Sequence, residues 1–167
     1  MKKIFFIIII FFGSFSFLNA ETKRITSGNE NAKITIIAYE SLTCSHCASF
    51  HEEVYPHLKK DYIDTGLAKI EFRHFPLDIA ALNAAKIAQC KEAQGLEILS
   101  SLYSNQQAWV KGNSIDDINK NIKNYLQKEG FDINFEMCIN DKEIEDFVLN
   151  DRIEGVKTFE INATPTI

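Results

Sequence analysis

The sequence lacks internal repeats and low-complexity linkers, so it predicts neither a repeat array nor a string of tethered domains. It also lacks an excess of positive charge, because 18 Lys and Arg stand against 23 Asp and Glu, for a formal net charge of -5. An acidic chain is a poor match for the phosphates of a nucleic acid. We therefore expect one domain with room for a subdomain, and no nucleic-acid partner.

An unbroken apolar run occupies residues 4–12, between Lys2 and Lys3 on one side and small and polar residues up to Ala20 on the other. This order is typical of a secretory signal peptide at residues 1–20. Leu18 is larger than the ideal residue at that cleavage position, so an uncleaved N-terminal anchor is the alternative, although about 15 apolar residues are short for a membrane span. We expect export to the periplasm.

Removal of residues 1–20 would take away two of the 18 Lys and Arg and none of the 23 Asp and Glu, leaving a net charge of -7. The four cysteines form an even set, and an oxidising compartment allows them to pair. Cys44 and Cys47 form the close, reactive pair. Cys90 and Cys138 each lie in an apolar-periodic segment, which favours a second disulfide between two helices; two buried free thiols are the alternative.

The segment Cys44-Ser45-His46-Cys47 lies between an alternating apolar run and a helical pattern. A Cys-x-x-Cys at such a junction is typical of a redox site. The first turn of a helix offers unpaired backbone N–H groups and a partial positive charge, which favour a thiolate. His46 adds a donor or a positive charge beside the same sulfur. We expect Cys44 to be the exposed nucleophile, with a pKa below the free value of about 8.5, and Cys47 to face inward.

Metal binding is a weaker interpretation of the same residues. His51 stands one helical turn beyond Cys47 and could join Cys44 and Cys47 on zinc or copper. A structural zinc site needs four ligands, however, and Cys90 and Cys138 lack the paired spacing that would supply the others. We therefore expect no metal and no cofactor, and keep a metal-binding module as an alternative.

Haem attachment needs a histidine directly after the second cysteine, where Ala48 stands. The histidines beyond the motif are expected at the surface or at strand ends; they are His51, His57 and His74. Glu40, four residues before the motif, is a candidate proton relay during thiol exchange, and a solvated acid at the end of a strand is the alternative.

The flanking pattern predicts a strand at 33–39, a helix from 44 to about 63 that Pro56 should kink, and a strand at 68–75. This order predicts parallel strands with a right-handed crossover. From 79 to about 152 the pattern is helical, with Gly95 as an expected stop, Ser114 as a cap and a further cap at Asn140 or Asp141. Residues 158–162 are expected to return to a strand.

With these motifs and the final Ala163-Thr164-Pro165-Thr166 in view, the chain resembles the DsbA-like branch of the thioredoxin superfamily. The resemblance implies an α/β, thioredoxin-like fold with an inserted all-helical subdomain. It further implies that Pro165 is cis and packs against the Cys-x-x-Cys, that the Thr164 backbone faces the reactive sulfur, and that the insert is a substrate-side lid. Several members carry a second cysteine pair where Cys90 and Cys138 stand.

We divide the chain accordingly into a signal peptide at 1–20, the first part of the thioredoxin-like domain at 21–78, a helical insertion at 79–152 and a return to the domain at 153–167. The fold implied by the resemblance also has a further hairpin strand and a closing helix after the proline. No residue follows Ile167, so these C-terminal elements are expected to be missing.

The chemistry and the resemblance together predict a periplasmic disulfide oxidase, a monomer whose substrates are reduced or unfolded exported proteins. By family analogy, a membrane quinone-linked thiol oxidase would reoxidise it. A disulfide isomerase or reductase of the same fold is the first alternative, disfavoured because only about a dozen residues separate Ala20 from the expected first strand, too few for an oligomerising stalk. A binding module in which Cys44 and Cys47 form a static disulfide is another.

Overall fold

The protein, described here by a computed structural model, is defined over residues 22–167, so the expected signal peptide lies outside the described residues. Its sheet contains three strands in the order β1-β3-β2; these are β1 (Ile25–Gly28), β2 (Ile34–Glu40) and β3 (Ala68–His74). β2 and β3 are parallel, which confirms the pairing predicted from the strand-helix-strand order. β1 was not predicted, because only four residues pair, antiparallel to β3.

One continuous helical run connects β2 to β3, and its geometry changes along its length. It consists of α1 (Ser45–Ser49), a π-helical segment (Phe50–Val54), α2 (Tyr55–Leu58) and a second π-helical segment (Lys59–Ile63). The sequence predicts that Pro56 disturbs this helix, and in the structure a π-helical segment directly precedes the short helix that contains Pro56. Proline has no N–H to donate to the preceding turn, and the wider π turn before it accommodates the missing bond.

The rest of the chain is helical until its last few residues. The helices are α3 (Ile79–Cys90), α4 (Gly95–Ser104), α5 (Gln106–Trp109), α6 (Ile115–Lys128), α7 (Phe135–Asn140) and α8 (Lys142–Phe159). Trp109 is fully buried among them, and its indole N–H donates to the Leu102 carbonyl at 2.9 Å. Cys90 and Cys138 are joined by a disulfide that links α3 to α7. No helix within residues 22–167 is long and apolar enough to cross a membrane.

Two of the predicted helix caps are present. The Ser114 hydroxyl accepts from the Asp117 N–H at 3.2 Å, and Asp141 accepts from the N–H groups of Glu143 and Ile144. The prediction for Gly95 is wrong, because this glycine begins α4. A Cβ there would lie 3.1 Å from both the Ala88 carbonyl and the Ile25 side chain, so close packing, not helix termination, requires the glycine.

The strand expected at 158–162 is also wrong. Thr158 and Phe159 are the last residues of α8, which ends at Glu160 in the left-handed conformation (φ 54°). The only β pairing within the described part after α8 is a bridge between Tyr39 and Thr166, with backbone hydrogen bonds of 2.8 and 3.1 Å. Packing of α8 against β3 overrides the local strand preference of the sequence.

We expect Gly155→Ala to destabilise the protein by about 1–3 kcal/mol, because overpacking outweighs the gain of about 1 kcal/mol in helix propensity. A Cβ at Gly155 would lie 2.9 Å from the Tyr39 ring. That ring cannot move freely, since its hydroxyl accepts from Arg73 at 3.0 Å. Urea unfolding would measure the loss. Asn150→Ala, at an exposed position of the same helix, should show no loss; equal stability of the two variants would contradict the prediction.

Candidate active site

Cys44 is the N-cap residue of α1, directly after the irregular segment that follows β2. Its N–H donates to the Ser41 carbonyl at 3.0 Å, and its own carbonyl accepts the first helical bond, from Ala48 at 3.2 Å. Its thiol is half-buried, whereas Cys47, one turn into the helix, is fully buried. Both are free thiols in this structure. One sulfur is therefore open to a partner and the other is shielded.

The loop around Pro165 lies against this pair, although 120 residues separate it from Cys44. The Cys44 thiol donates to the Thr164 carbonyl at 3.4 Å, and the Thr164–Pro165 peptide bond is cis. The bridge between Tyr39 and Thr166 ties the loop to the end of β2. The geometry thus brings together Thr164, Pro165 and the two cysteines, as the resemblance implies.

The surroundings of Cys44 favour its thiolate. Partial burial by itself raises the pKa of Cys44, but the hydrogen bonds around the sulfur outweigh it, so the pKa lies below its ordinary value. The largest of these contributions comes from the Thr164 side chain, followed by the backbone N–H and thiol of Cys47 and the backbone N–H of His46. Unpaired N–H groups of the first helical turn thus stabilise the negative sulfur, as the sequence predicts.

The pKa of Cys47 is shifted in the opposite direction, upward. Burial raises the pKa of Cys47 to about 12, and the neighbouring Cys44 sulfur adds to the rise. A hydrogen bond from the Ser41 backbone and the Thr164 side chain oppose the rise only in part. The two sulfurs of one motif therefore differ strongly in acidity, as a nucleophile and a buried resolving thiol should.

His46 is exposed at the second position of α1. The sequence predicts that the His46 side chain supplies a donor or a charge, whereas the group of His46 that reaches the sulfur in the structure is its backbone N–H.

The candidate proton relay Glu40 is buried beneath the motif, not solvated at the end of its strand. Its carboxylate lies 2.8 Å from His51 Nε2. Burial raises the pKa of Glu40, and hydrogen bonds from His51 and Tyr103 oppose this rise. His51 also stacks on the Tyr103 ring, with centroids 4.1 Å apart. The result is a buried polar cluster of Glu40, His51 and Tyr103 within an aromatic core.

The sequence predicts that the histidines beyond the motif lie at the surface or at strand ends; this holds for His57, which is exposed, and for His74, which ends β3, and it is wrong for His51. His51 is buried because its Nε2 pairs with Glu40, four residues before the motif, and the helix turns its ring inward. His74, at the end of β3, is buried and bonded to Gln89 at 3.2 Å. Burial lowers the pKa of His74, so its neutral form is favoured. Tertiary partners distant in sequence account for both positions.

Gln106 is a site residue that the sequence analysis missed. It begins α5, is buried, and its side-chain amide donates to the carbonyls of Leu42 at 2.8 Å and Cys44 at 3.0 Å. Nothing in the local pattern marks a glutamine 62 residues from Cys44 as part of the site. Gln106 also lines a polar cleft of about 360 Å³ between the first turns of α1 and the corner between α4 and α5.

The arrangement offers little to a metal ion. Within residues 22–167 no group of three or more His, Cys, Asp and Glu side chains comes together at ligand distance. His51, one helical turn beyond Cys47, is engaged with Glu40. The site instead provides two thiols of unequal acidity beside a backbone carbonyl. Such a pair can carry out thiol-disulfide exchange.

Comparisons with known proteins agree with this chemistry. A family profile described as Thioredoxin matches residues 20–167. The crystal structure of Wolbachia pipientis alpha-DsbA1 superposes with a TM-score of 0.75 at 34% identity, covering 84% of this chain and 71% of that one. BdbD from Bacillus subtilis has a TM-score of 0.69 at 20% identity, over 86% of this chain and 79% of that one, and shows the shared fold alone.

Among curated proteins, a putative protein-disulfide oxidoreductase of Rickettsia prowazekii is 41% identical over 64 residues. That match covers 38% of this chain and 24% of the relative, so the chain spans about a quarter of the length of that relative. Disulfide bond formation protein D of Bacillus subtilis is 25% identical over 160 residues, covering 76% of this chain and 72% of that protein.

In the reduced protein, iodoacetamide at pH 7 should modify Cys44 and leave Cys47 unmodified. A thiol with a pKa of about 12 is roughly one part in 10⁵ thiolate at that pH, and Cys47 is also buried. Peptide mass mapping would locate the label, and the pH dependence of the rate should have its midpoint below the ordinary value for a thiol. Labelling of Cys47 at a rate comparable to Cys44 would contradict this assignment.

Proposed function

The chain belongs to the DsbA-like branch of the thioredoxin family, and we propose that it is a thiol-disulfide oxidoreductase that donates the Cys44–Cys47 disulfide to exported proteins. The observation that carries this proposal is the contrast between the two sulfurs. Cys44 is accessible, has a lowered pKa and faces Thr164, whereas Cys47 is buried with a pKa of about 12. A static structural disulfide has no need of such a contrast.

The proposed reaction begins with the oxidised pair. A substrate thiolate attacks the Cys44 sulfur, the Cys44–Cys47 bond breaks, and a mixed disulfide forms while Cys47 leaves as a thiolate and takes up a proton. A second substrate thiolate then attacks the substrate sulfur of the mixed disulfide and expels the Cys44 thiolate. The substrate loses two electrons and two protons as its disulfide forms; the enzyme takes both electrons, one proton ends on Cys47 and the other goes to the solvent, which leaves Cys44 as a thiolate.

The direction of the proposed flow follows from the leaving group. A sulfur with a lowered pKa is a good leaving group, and interactions that stabilise the reduced form make the oxidised form a stronger oxidant. The N–H groups of Cys47 and His46 stabilise the Cys44 thiolate in this way. This supports an oxidase over the alternative, a disulfide isomerase or reductase.

We assign Thr164 and Pro165 to substrate binding. The Thr164 carbonyl accepts from the Cys44 thiol in the reduced protein. Once that sulfur is in a mixed disulfide, the carbonyl is left free to accept from the backbone of an extended substrate segment, a form of strand addition. His46, exposed on α1, would border the same segment.

Glu40 is proposed as the proton relay to Cys47. The thiolate that Cys47 becomes in the first step is buried, so its proton must come from a neighbouring group. Burial raises the pKa of Glu40, which favours the protonated carboxyl, and the pKa of Tyr103 responds to Glu40 as well as to both cysteines.

The cellular setting follows from the chemistry and from residues 1–20. A signal-like segment and a disulfide joining Cys90 to Cys138 both fit an oxidising compartment, and we propose the periplasm. Reduced exported proteins would be the substrates, and a membrane quinone-linked thiol oxidase the reoxidant. We propose that the protein acts as a monomer.

Cys44→Ser should abolish turnover of a reduced model protein, and Cys47→Ser should accumulate mixed disulfides through Cys44, because its resolving thiol is gone. Non-reducing gels and mass spectrometry would detect both outcomes. Ser49→Ala, at an exposed position of the same helix, is the control and should retain activity. Full activity of Cys44→Ser would exclude the proposal, and stoichiometric zinc or copper in the natively purified protein would support the metal-binding alternative instead.

Glu40→Gln should slow the step that protonates Cys47, by about 10²-fold if the carboxyl acts as its general acid. The amide retains a hydrogen-bonding partner for His51 but carries no transferable proton. Stopped-flow measurement of mixed-disulfide formation against pH would report the change. Glu52→Gln, an exposed acid on the same helical run, is the matched control; equal rates for the two variants would exclude Glu40 as the relay.

A further inference from the structure

Gln106 connects the helical insertion to the backbone of the nucleophile. Its Nε2 carries two hydrogens, and the structure gives each one an acceptor, the Leu42 carbonyl at 2.8 Å and the Cys44 carbonyl at 3.0 Å. These carbonyls lie after the end of β2, beyond its last pairing with β3. The amide therefore satisfies the Leu42 carbonyl, at a buried position where an unpaired acceptor is costly, and gives the Cys44 carbonyl a second donor beside the Ala48 N–H.

The position of Gln106 is itself fixed by the packing of the insertion. It follows the break at Asn105 between α4 and α5, and Trp109 lies one turn later. The Trp109 side chain is fully buried and bonded to the Leu102 carbonyl of α4, which holds the two helices together at this corner. The glutamine thus projects from a rigid corner, not from a loop free to move.

We infer that Gln106 is a positioning residue, whose amide holds the backbone on both sides of Thr43 so that the first turn of α1 points at the Cys44 sulfur. The inference rests on the proposed function, because it concerns the same nucleophile. No residue of the Cys-x-x-Cys motif supplies this contact.

Two physical effects follow from the contact. The Cys44 carbonyl accepts from Gln106 as well as from Ala48, so the Cys44–Ser45 peptide plane is held in one orientation at the start of the helical turn that carries the His46 and Cys47 N–H groups. The donated hydrogen bond also offsets the negative end of that carbonyl dipole, which lies in the same residue as the thiolate. Both effects favour the ionised sulfur.

Gln106→Met and Gln106→Glu separate this role from simple packing. Methionine removes the two donors at similar length, and we expect it to raise the pKa of Cys44 by about half a unit to one unit, as for the loss of a hydrogen bond. Glutamate has nearly the same shape as glutamine but adds negative charge beside two carbonyls, so it should raise this pKa more than methionine does. A packing role predicts the reverse order, with the isosteric glutamate closer to the native protein.

The measurement is thiolate absorbance against pH on the whole chain, together with the equilibrium with glutathione. A rise of one pKa unit should weaken oxidation by up to tenfold, or about 30 mV. Asn121→Asp is the matched control, since the Asn121 amide donates to the Lys111 carbonyl in the same insertion, in a solvent-exposed hydrogen bond away from the cysteines. It should leave both values unchanged.

A native Cys44 pKa near 8.5 would refute the proposed oxidase itself. A low native value that neither Gln106 variant shifts would refute this inference alone. If both variants fail to fold, nuclear magnetic resonance of the native protein decides: the Gln106 side-chain amide signals should move with pH at the same midpoint as the Cys44 thiolate. Gln106 amide signals whose chemical shifts do not change at that midpoint would overturn the inference.

Discussion

The site depends on one short piece of backbone pairing, the bridge between Tyr39 and Thr166. Tyr39 lies near the end of β2 and is buried, so it forms a rigid base for the loop that carries Pro165. Two hydrogen bonds there place the Thr164 carbonyl 3.4 Å from the Cys44 sulfur across 120 residues of sequence. Without this bridge, the Thr164 side chain, which contributes most to lowering the pKa of Cys44, would have no fixed position.

Tyr39 also organises the packing of α8 against the sheet. Tyr39 packs against Phe75 and Phe159, and a Cβ on Gly155 would collide with its ring. The ring hydroxyl accepts from Arg73, which also pairs with Glu154 of α8 at 3.0 Å. These contacts hold α8 against Tyr39 of β2, which also positions the loop around Pro165. The packing of α8 therefore affects the geometry at the cysteines.

Local chemistry predicts what depends on neighbours in sequence. The reactive motif, the parallel strands around it and the caps at Ser114 and Asp141 all follow from patterns of a few residues. The burial of His51 does not, because its partner Glu40 and the stacked Tyr103 come from other elements. Close approach, as at Gly95, and long-range hydrogen bonds also leave no periodic pattern in the sequence.

The resemblance to the DsbA-like branch also predicts contacts between residues far apart in the sequence. It implies that Pro165 lies beside the Cys-x-x-Cys motif, which no local pattern could indicate. It does not reach residues that lie outside the motifs that carry it. Gln106 is such a residue: its role depends on the break at Asn105 and on the packing of Trp109, both of them tertiary properties of this chain.

The interactions around Cys44 also bear on the relative stability of the two redox forms. The hydrogen bonds that favour a negative sulfur act on the thiolate, and formation of the disulfide removes that charge. They therefore stabilise the reduced fold more than the oxidised one, and a thermodynamic cycle requires that the same free energy appear as oxidising strength. The buried Cys47, with its raised pKa, contributes nothing to this preference at neutral pH, because its reduced form there is the thiol. The hydrogen bonds at the start of α1 thus link the acidity of Cys44 to the relative stability of the two redox forms.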